Sequence, residues 1–194
     1  DWNTNTVVET FSLASAPMQP ALEAVQRLLL AHDPYPALAV DRHWNLRFAN
    51  RTAERLLQGV APELLQTPVN VLRLTLHPRG LAGMIINLGE WRRHLLSRLR
   101  RLVALGGDDQ LAELLRELSA LPPLPDEDQP GGYESPAPDV LVLFRLRSPI
   151  GDLRLFSTIT VFGTPTDITL AELALESFYP ADADTAERLR SWAA

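Results

Sequence analysis

The chain has 194 residues, no cysteine, 46% hydrophobic residues and a formal net charge of -6 at pH 7, a length and composition typical of one globular domain with an additional arm or linker. The lack of cysteine excludes disulfides, thiolate metal sites and a cysteine nucleophile, and it agrees with a cytoplasmic protein. The acidic charge disfavours direct binding to nucleic acid, since phosphate neutralisation requires a positive surface, and no apolar run is long enough to cross a bilayer.

The first predicted element is a helix that follows an N-terminal arm. Residues 1–19 show no clear period and are interpreted as a linker or arm. From Pro20, which suits a first helical turn, apolar residues recur at the spacing of one helical face. They are Leu22, Val25, Leu28 and Leu29. The two prolines of AHDPYP end this helix, because the residue before a proline avoids the helical conformation.

A hairpin and a short helix come next. In PALAVDRHWNLRFAN, apolar and other residues alternate on both sides of the polar turn DRH, which predicts two antiparallel strands. A helical pattern begins directly after Asn50 and ends near Gly59. Asn50 can cap this helix with its side-chain oxygen. The alternative is that its amide points into a pocket and orients a ligand.

The longest predicted helix covers residues 81–105, where apolar side chains recur every three or four positions. A further helix, DDQLAELLRELSAL, begins at a pair of aspartates that can cap it and favour its dipole. Residues 121–138 are predicted to form a loop, because proline, glycine and acidic residues dominate there.

The C-terminal part is rich in strands. VLVLFRLRSP, LRLFSTITVF and ITLAELALESFYP follow one another at hairpin spacing. The third segment, residues 171–179, also contains good helix formers, but its position after two strands favours a strand. ADTAERLRSWAA predicts a closing helix. Together these elements predict an α+β fold, with helices on one face of a five-stranded antiparallel sheet and an N-terminal linker helix.

The order of these elements is that of a PAS domain, and four segments narrow the resemblance. They are YPALAVDRHWNLRFAN, VNVLRLTLHPRG, EWRRHLLSRLRRLVALGGDDQLAELLRELSA and FRLRSPIGDLRLFSTITVF. In this order they resemble the ligand-binding domain of MmyB-like transcription regulators, over roughly residues 20–192. In that family, a PAS-like sensor follows an N-terminal helix-turn-helix domain of the XRE type.

The resemblance implies a sensor domain over residues 20–194. The arm before it is too short for a helix-turn-helix domain, so that DNA would be reached only through a domain absent from this chain. Occupancy by a small ligand would then modulate DNA binding by the attached domain, in a regulator that is expected to be a homodimer. The helix at residues 20–31 is the expected transmitter, since it joins the two halves.

The space between the sheet and the helices is the natural place for a small apolar ligand. The side chains predicted to contact it lie on the strands, at the strand-to-helix junction or on the predicted helices, and they could equally be ordinary core residues. They are Trp44, Phe48, Asn50, Leu74, Met84, Ile85, Leu88, Trp91, Leu95, Phe144 and Phe156.

Arginines flank the apolar stripe of the long helix in EWRRHLLSRLRR. Arg92 and Arg98 are the candidates for holding a ligand carboxylate, because a guanidinium can grip a carboxylate with two hydrogen bonds. The alternatives are a solvated helix face, or a docking surface for an acidic partner. An acyl chain such as a fatty acid is the favoured ligand, since no lysine, cysteine or metal cluster accompanies the apolar residues.

No pattern predicts catalysis or a metal site. The four histidines are scattered, without the spacing of metal ligands, and neither a phosphate loop, a dinucleotide fingerprint nor a nucleophile elbow is present. The sequence therefore predicts a non-enzyme that needs no cofactor and no membrane. Two hypotheses remain: a sensor of a fatty-acid-like molecule, and a dimerisation or protein-interaction module with a closed core and no ligand.

Overall fold

The computed structural model of the protein describes residues 19–124, 142–161 and 173–193. In these ranges the α-helices and strands follow in this order: α1 Gln19–Ala31, β1 Ala37–Val40, β2 Leu46–Ala49, α2 Arg51–Leu56, α3 Val71–Leu76, α4 Leu88–Gly106, α5 Asp109–Ser119, β3 Phe144–Ser148, β4 Gly151–Val161, β5 Ala174–Pro180 and α6 Ala183–Ala193. Short 3-10 helices lie at Pro62–Leu65 and Ala82–Met84. The predicted arm up to residue 18 and most of the predicted 121–138 loop lie outside the described residues.

All five strands belong to one antiparallel sheet with the order β2-β1-β5-β4-β3. Strand β5 lies at its centre, where Glu176 pairs with Leu38 of β1 on one side and with Ile159 of β4 on the other. The last strand thus joins the N-terminal hairpin to the C-terminal one. The predicted α+β class and five-stranded antiparallel sheet are confirmed, and the segment that could have been a helix is a strand over Ala174–Pro180.

The two faces of the curled sheet are covered by different helices. Successive side chains of a strand point to opposite faces, so Phe178 packs in the main core with Trp91 and Leu99 of α4. On the other face, Leu175 and a few small or branched side chains form a second cluster with Leu29 of α1. Burying each large apolar side chain contributes about 1.5–3 kcal/mol, so the main core supplies most of the stability.

The longest helix begins later than predicted. Helix α4 starts at Leu88, whereas the apolar spacing predicted a start at residue 81. In the segment before it, Ile85 forms an isolated bridge with Leu146 of β3, and the Asn87 side chain donates a hydrogen bond to the Leu143 carbonyl at 2.8 Å. These contacts hold the segment along the edge of the sheet, where a helix could not make them.

Local capping explains where several helices start. The Asp108 carboxylate accepts hydrogen bonds from the N–H groups of Gln110 and Leu111 at the start of α5, as the aspartate pair predicted. Helix α2 begins after Asn50 and ends at Leu56, which is earlier than the glycine that predicted its end. The predicted closing helix is confirmed as α6.

Candidate functional site

A cavity of about 80 Å³ lies between the sheet and the helices that cover its inner face. Its walls come from β1, β2, α2, α3, α4 and the three C-terminal strands. Aliphatic and aromatic side chains make almost the whole lining, in which Thr75 and Glu176 are the polar members. An apolar enclosure with few polar groups is the usual chemistry of a small-molecule site.

Four of the residues predicted as ligand contacts line this cavity: Leu74, Trp91, Leu95 and Phe144. Trp91 and Leu95 are four positions apart on α4, so they lie on the same helix face, and the Trp91 ring packs against the Phe144 ring at a centroid distance of 4.9 Å. The Trp91 indole Nε1 is buried and has no hydrogen-bond partner among the described residues.

Four other predicted contacts lie in or beside the main core but do not line the cavity. Ile85 and Leu88 are buried and Met84 is partly buried, because the segment before α4 forms only a short 3-10 turn at Ala82–Met84 and does not extend the helix. Trp44 has a left-handed backbone with φ of 65° and precedes β2 instead of belonging to it. The Arg98 guanidinium lies 4.4 Å from the Trp44 ring centroid.

Phe48 and Phe156 lie on the outer face of the sheet, away from the cavity. Phe48 packs against the α1 cluster, and the Phe156 ring stacks on the Tyr179 ring at 5.3 Å. The alternation predicted that Phe48 would share a face with Leu46. An irregular register at Ala39 and Val40 changes this, since a bulge shifts the side chains that follow it to the other face.

Asn50 does not line the cavity, because backbone groups use its whole side-chain amide. Its Oδ1 accepts hydrogen bonds from the N–H groups of Ala53 and Ala37, both at 3.0 Å. Its Nδ2 donates to the carbonyls of Tyr35 at 2.7 Å and Leu29 at 3.3 Å. The structure therefore shows the capping role that was one of the two interpretations of this residue.

The two arginines proposed as carboxylate anchors differ in their surroundings. The Arg92 guanidinium donates to the carbonyls of Leu121 and Pro122 beyond the end of α5, so it does not reach the cavity. Burial lowers the pKa of Arg98, and the charge of Glu176 opposes that shift. Arg98 does not line the cavity either, but its charge acts on a residue that does.

Glu176 lines the candidate site and is not among the residues predicted from the sequence. It lies on the central strand with 7% of its surface exposed and lines the cavity. Burial raises the pKa of its carboxyl, while the Arg98 charge and a hydrogen bond from the Ser157 hydroxyl oppose that shift. The alternation in LAELALES predicts that the side chains of Glu176 and Leu175 point to opposite faces of the sheet. It does not show which of the two faces is turned toward the core.

The described part of the chain contains neither a cluster of metal-ligating side chains nor a membrane-spanning helix. No three His, Asp or Glu side chains come together there as a metal site would require. None of the helices in the described ranges has the length and apolar character needed to cross a membrane.

A five-stranded antiparallel sheet in the order β2-β1-β5-β4-β3, with helices packed over one face, is a PAS-like fold. Residues 21–191 match the family described as the MmyB-like transcription regulator ligand binding domain, and the chain belongs to this family. The predicted resemblance is thereby confirmed, together with its general role as the ligand-binding domain of a transcription regulator. No curated protein matches the chain.

Proposed function

We propose that this domain binds a small, largely apolar molecule in the cavity between its sheet and helices, and that occupancy modulates DNA binding by an attached helix-turn-helix domain in the cytoplasm. The observation that carries the proposal is a cavity whose walls are apolar except for Thr75 and Glu176. The family to which the chain belongs supports a ligand-binding role in transcription regulation.

A fatty-acid-like molecule suits this cavity, because each methylene moved from water into an apolar site contributes about 0.8 kcal/mol. The volume of about 80 Å³ is below the roughly 300–1,000 Å³ of sites for drug-sized ligands. A chain of eight or more carbons would therefore displace side chains when it enters. Filled and empty domains would then differ in structure, which a ligand requires if it is to shift an equilibrium.

The proposed ligand lies with its chain among Leu74, Leu95 and Phe144 and its polar end near Glu176. Of the two arginines, only Arg98 stays in the proposal, because its charge acts on Glu176. Helix α1 is the proposed transmitter to the DNA-binding half, since it packs on the outer face of the same sheet.

Filling the cavity tests this function. Ala53 lines the cavity from α2, and an Ala53→Leu substitution would place three additional carbons in it. For the unmodified domain, octanoic acid or octanol at about 100 times its Kd should add about 2.7 kcal/mol to the free energy of unfolding. We expect Ala53→Leu to abolish this gain in thermal unfolding and in native mass spectrometry.

Ala104→Leu is the matched control, because Ala104 is exposed on α4 and should leave the ligand-induced gain unchanged. An acyl panel that fails to stabilise the unmodified domain would contradict the proposed function. So would an equal gain in the Ala53→Leu variant and in the unmodified domain.

The alternative function is a dimerisation or protein-interaction module without a ligand. Leu28 and Leu30 of α1 favour it, because 48% and 57% of their surfaces are exposed, and a partner that covered them would remove this apolar surface from water. Light scattering separates the two functions when it is combined with thermal unfolding. A dimer that no member of the acyl panel stabilises would support the alternative.

A further inference from the structure

We infer that Glu176 is the polar recognition group of the cavity, and that the ligand presents to it an uncharged O–H group, as an alcohol or a protonated carboxylic acid does. This inference rests on the proposed ligand-binding function and adds the chemistry of the ligand's polar end. It makes Glu176 the residue that determines which apolar molecules the domain accepts.

Because of its position, Glu176 is the polar side chain available to a ligand in the cavity. It is the only ionisable side chain among the described residues that line the cavity. The other polar lining residue, Thr75, already donates its hydroxyl to the Val71 carbonyl at 2.6 Å, within α3. A ligand that enters between the apolar walls therefore meets one carboxyl group, on the central strand of the sheet.

The hydrogen-bonding capacity of this carboxyl is only partly used. A carboxylate has two oxygens with about four acceptor positions, and the Ser157 hydroxyl on the neighbouring strand fills one of them. The residues paired with Glu176 across the strands are Leu38 and Ile159, which offer no side-chain donor. A ligand O–H would occupy one of the acceptor positions that remain.

Trp91 provides a second, independent polar group on the facing helix. It lines the cavity, only 4% of its surface is exposed, and its indole Nε1–H has no hydrogen-bond partner among the described residues. An O–H group both donates and accepts hydrogen bonds. The ligand O–H would donate its hydrogen to the Glu176 carboxyl, and the ligand oxygen would accept a hydrogen bond from the Trp91 Nε1–H.

The surrounding charges disfavour ionic ligands. The Arg98 charge and the Ser157 hydroxyl favour the ionised form of Glu176, and in that form a ligand carboxylate would face it as a like charge, which is costly at short range. A ligand ammonium would add a buried positive charge where Arg98 of α4 already acts on Glu176, and Arg101 lies further along the same helix. An uncharged O–H group adds no buried charge, and it is the end group that this site accepts best.

The test compares octanol, octanoic acid and octylamine by isothermal titration calorimetry. We expect octanol to bind the unmodified domain at pH 7, and to bind a Glu176→Leu variant at least tenfold more weakly. Octanoic acid should bind at pH 5 and lose about tenfold in affinity per pH unit above its own pKa, because only its protonated form binds. This pH profile distinguishes the acid from the alcohol as the source of the O–H group.

A Glu176→Gln variant keeps the side-chain shape, removes the negative charge and provides an amide that can donate to a carboxylate. It should therefore bind octanoic acid at pH 7 at least tenfold more tightly than the unmodified domain does. Glu187→Gln, at an exposed position of α6, is the control and should change nothing. The Gln variant also gives a decisive result if the Leu variant fails to fold.

Several results would overturn the inference and leave the proposed function standing. They are equal octanol affinity with and without the Glu176 carboxyl, an octylamine affinity above that of octanol, or unchanged octanoic acid affinity in Glu176→Gln. Binding of none of the three compounds, with no thermal stabilisation, would instead remove the proposed function and the inference together.

Discussion

Asn50 shows how much one side chain can organise in this fold. Its Oδ1 accepts hydrogen bonds from the first N–H of β1 and from an N–H in the first turn of α2. Its Nδ2 donates to one carbonyl in the last turn of α1 and to one beyond that helix. With 1% of its surface exposed, no water can replace these partners. Three elements are therefore fixed relative to one another by a single buried side chain.

An Asn50→Ala substitution should lower the free energy of unfolding by about 3 kcal/mol, since it removes a helix cap and leaves other buried backbone groups unpaired. Asn70→Ala is the comparison, because Asn70 caps α3 by accepting from the Arg73 N–H at 3.1 Å and should cost about 1–2 kcal/mol. Urea denaturation measures both. A loss at Asn50 no larger than that at Asn70 would contradict the three-element role.

Asn50 and Glu176 mark the limit of sequence-based prediction at the residue scale. The cap could be predicted, because it depends on residue type and on the neighbouring three positions. The inward face of β5 could not, because LAELALES alternates equally well in either orientation. Which face of β5 becomes the cavity wall depends on where α4 packs, and that packing is determined by contacts between residues far apart in the sequence.

At the scale of elements, the segment before α4 separates local from long-range causes. Its apolar residues have helical spacing, but Ile85 pairs with Leu146, and the Ile86 N–H donates to the Arg145 carbonyl at 2.8 Å. Periodicity alone cannot distinguish a helix from a segment that alternately contacts the sheet and the core. The error in the predicted start of α4 follows from this ambiguity.

The turn between α3 and this segment requires glycine at position 80. A Cβ atom on Gly80 would lie 2.0 Å from the Leu74 carbonyl oxygen, whereas one on Gly83 would meet nothing within 4 Å. The same carbonyl accepts the Leu81 N–H at 2.9 Å, so it cannot move freely. The approach of the backbone to Leu74 also holds that residue in the cavity wall.

Gly80→Ala should therefore lower the free energy of unfolding by about 1–3 kcal/mol, the usual cost of forcing atoms into a packed site. Gly83→Ala should stay within about 0.5 kcal/mol of the unmodified domain, as surface substitutions usually do. Chemical denaturation of the two variants side by side is the measurement. Equal stabilities would show that the turn adapts and that the close approach is not structurally important.

For the whole molecule, the sequence predicted the α+β fold class and the number of strands. It also predicted that the N-terminal and C-terminal strands belong to one sheet. These properties follow from periodicity and from the order of the elements. The cavity could not be predicted in size or position, because it is the space left after packing. Its lining combines residues from distant parts of the chain, such as Ala53 and Phe178.

Helix α1 is held by a much smaller apolar cluster than the helices on the inner face, and a small cluster is expected to open before the main core does. Native-state hydrogen exchange should therefore show α1 amides exchanging earlier than those of β4 and β5. Leu29→Ala should accelerate exchange chiefly in α1, whereas Leu99→Ala should lower global stability by about 2–5 kcal/mol. Uniform acceleration in both variants would show that α1 unfolds only with the whole domain.

Two neighbouring residues of strand β5 point to opposite faces of the sheet. Glu176 lines the cavity, and Leu175 belongs to the cluster against which α1 packs. Hydrogen bonds to β1 and β4 hold the strand along both edges, so it moves as a stiff unit. A ligand that shifts Glu176 must shift Leu175 as well. The route from the proposed binding event to the proposed transmitter is therefore one peptide bond long, and it needs no relay of side chains across the core.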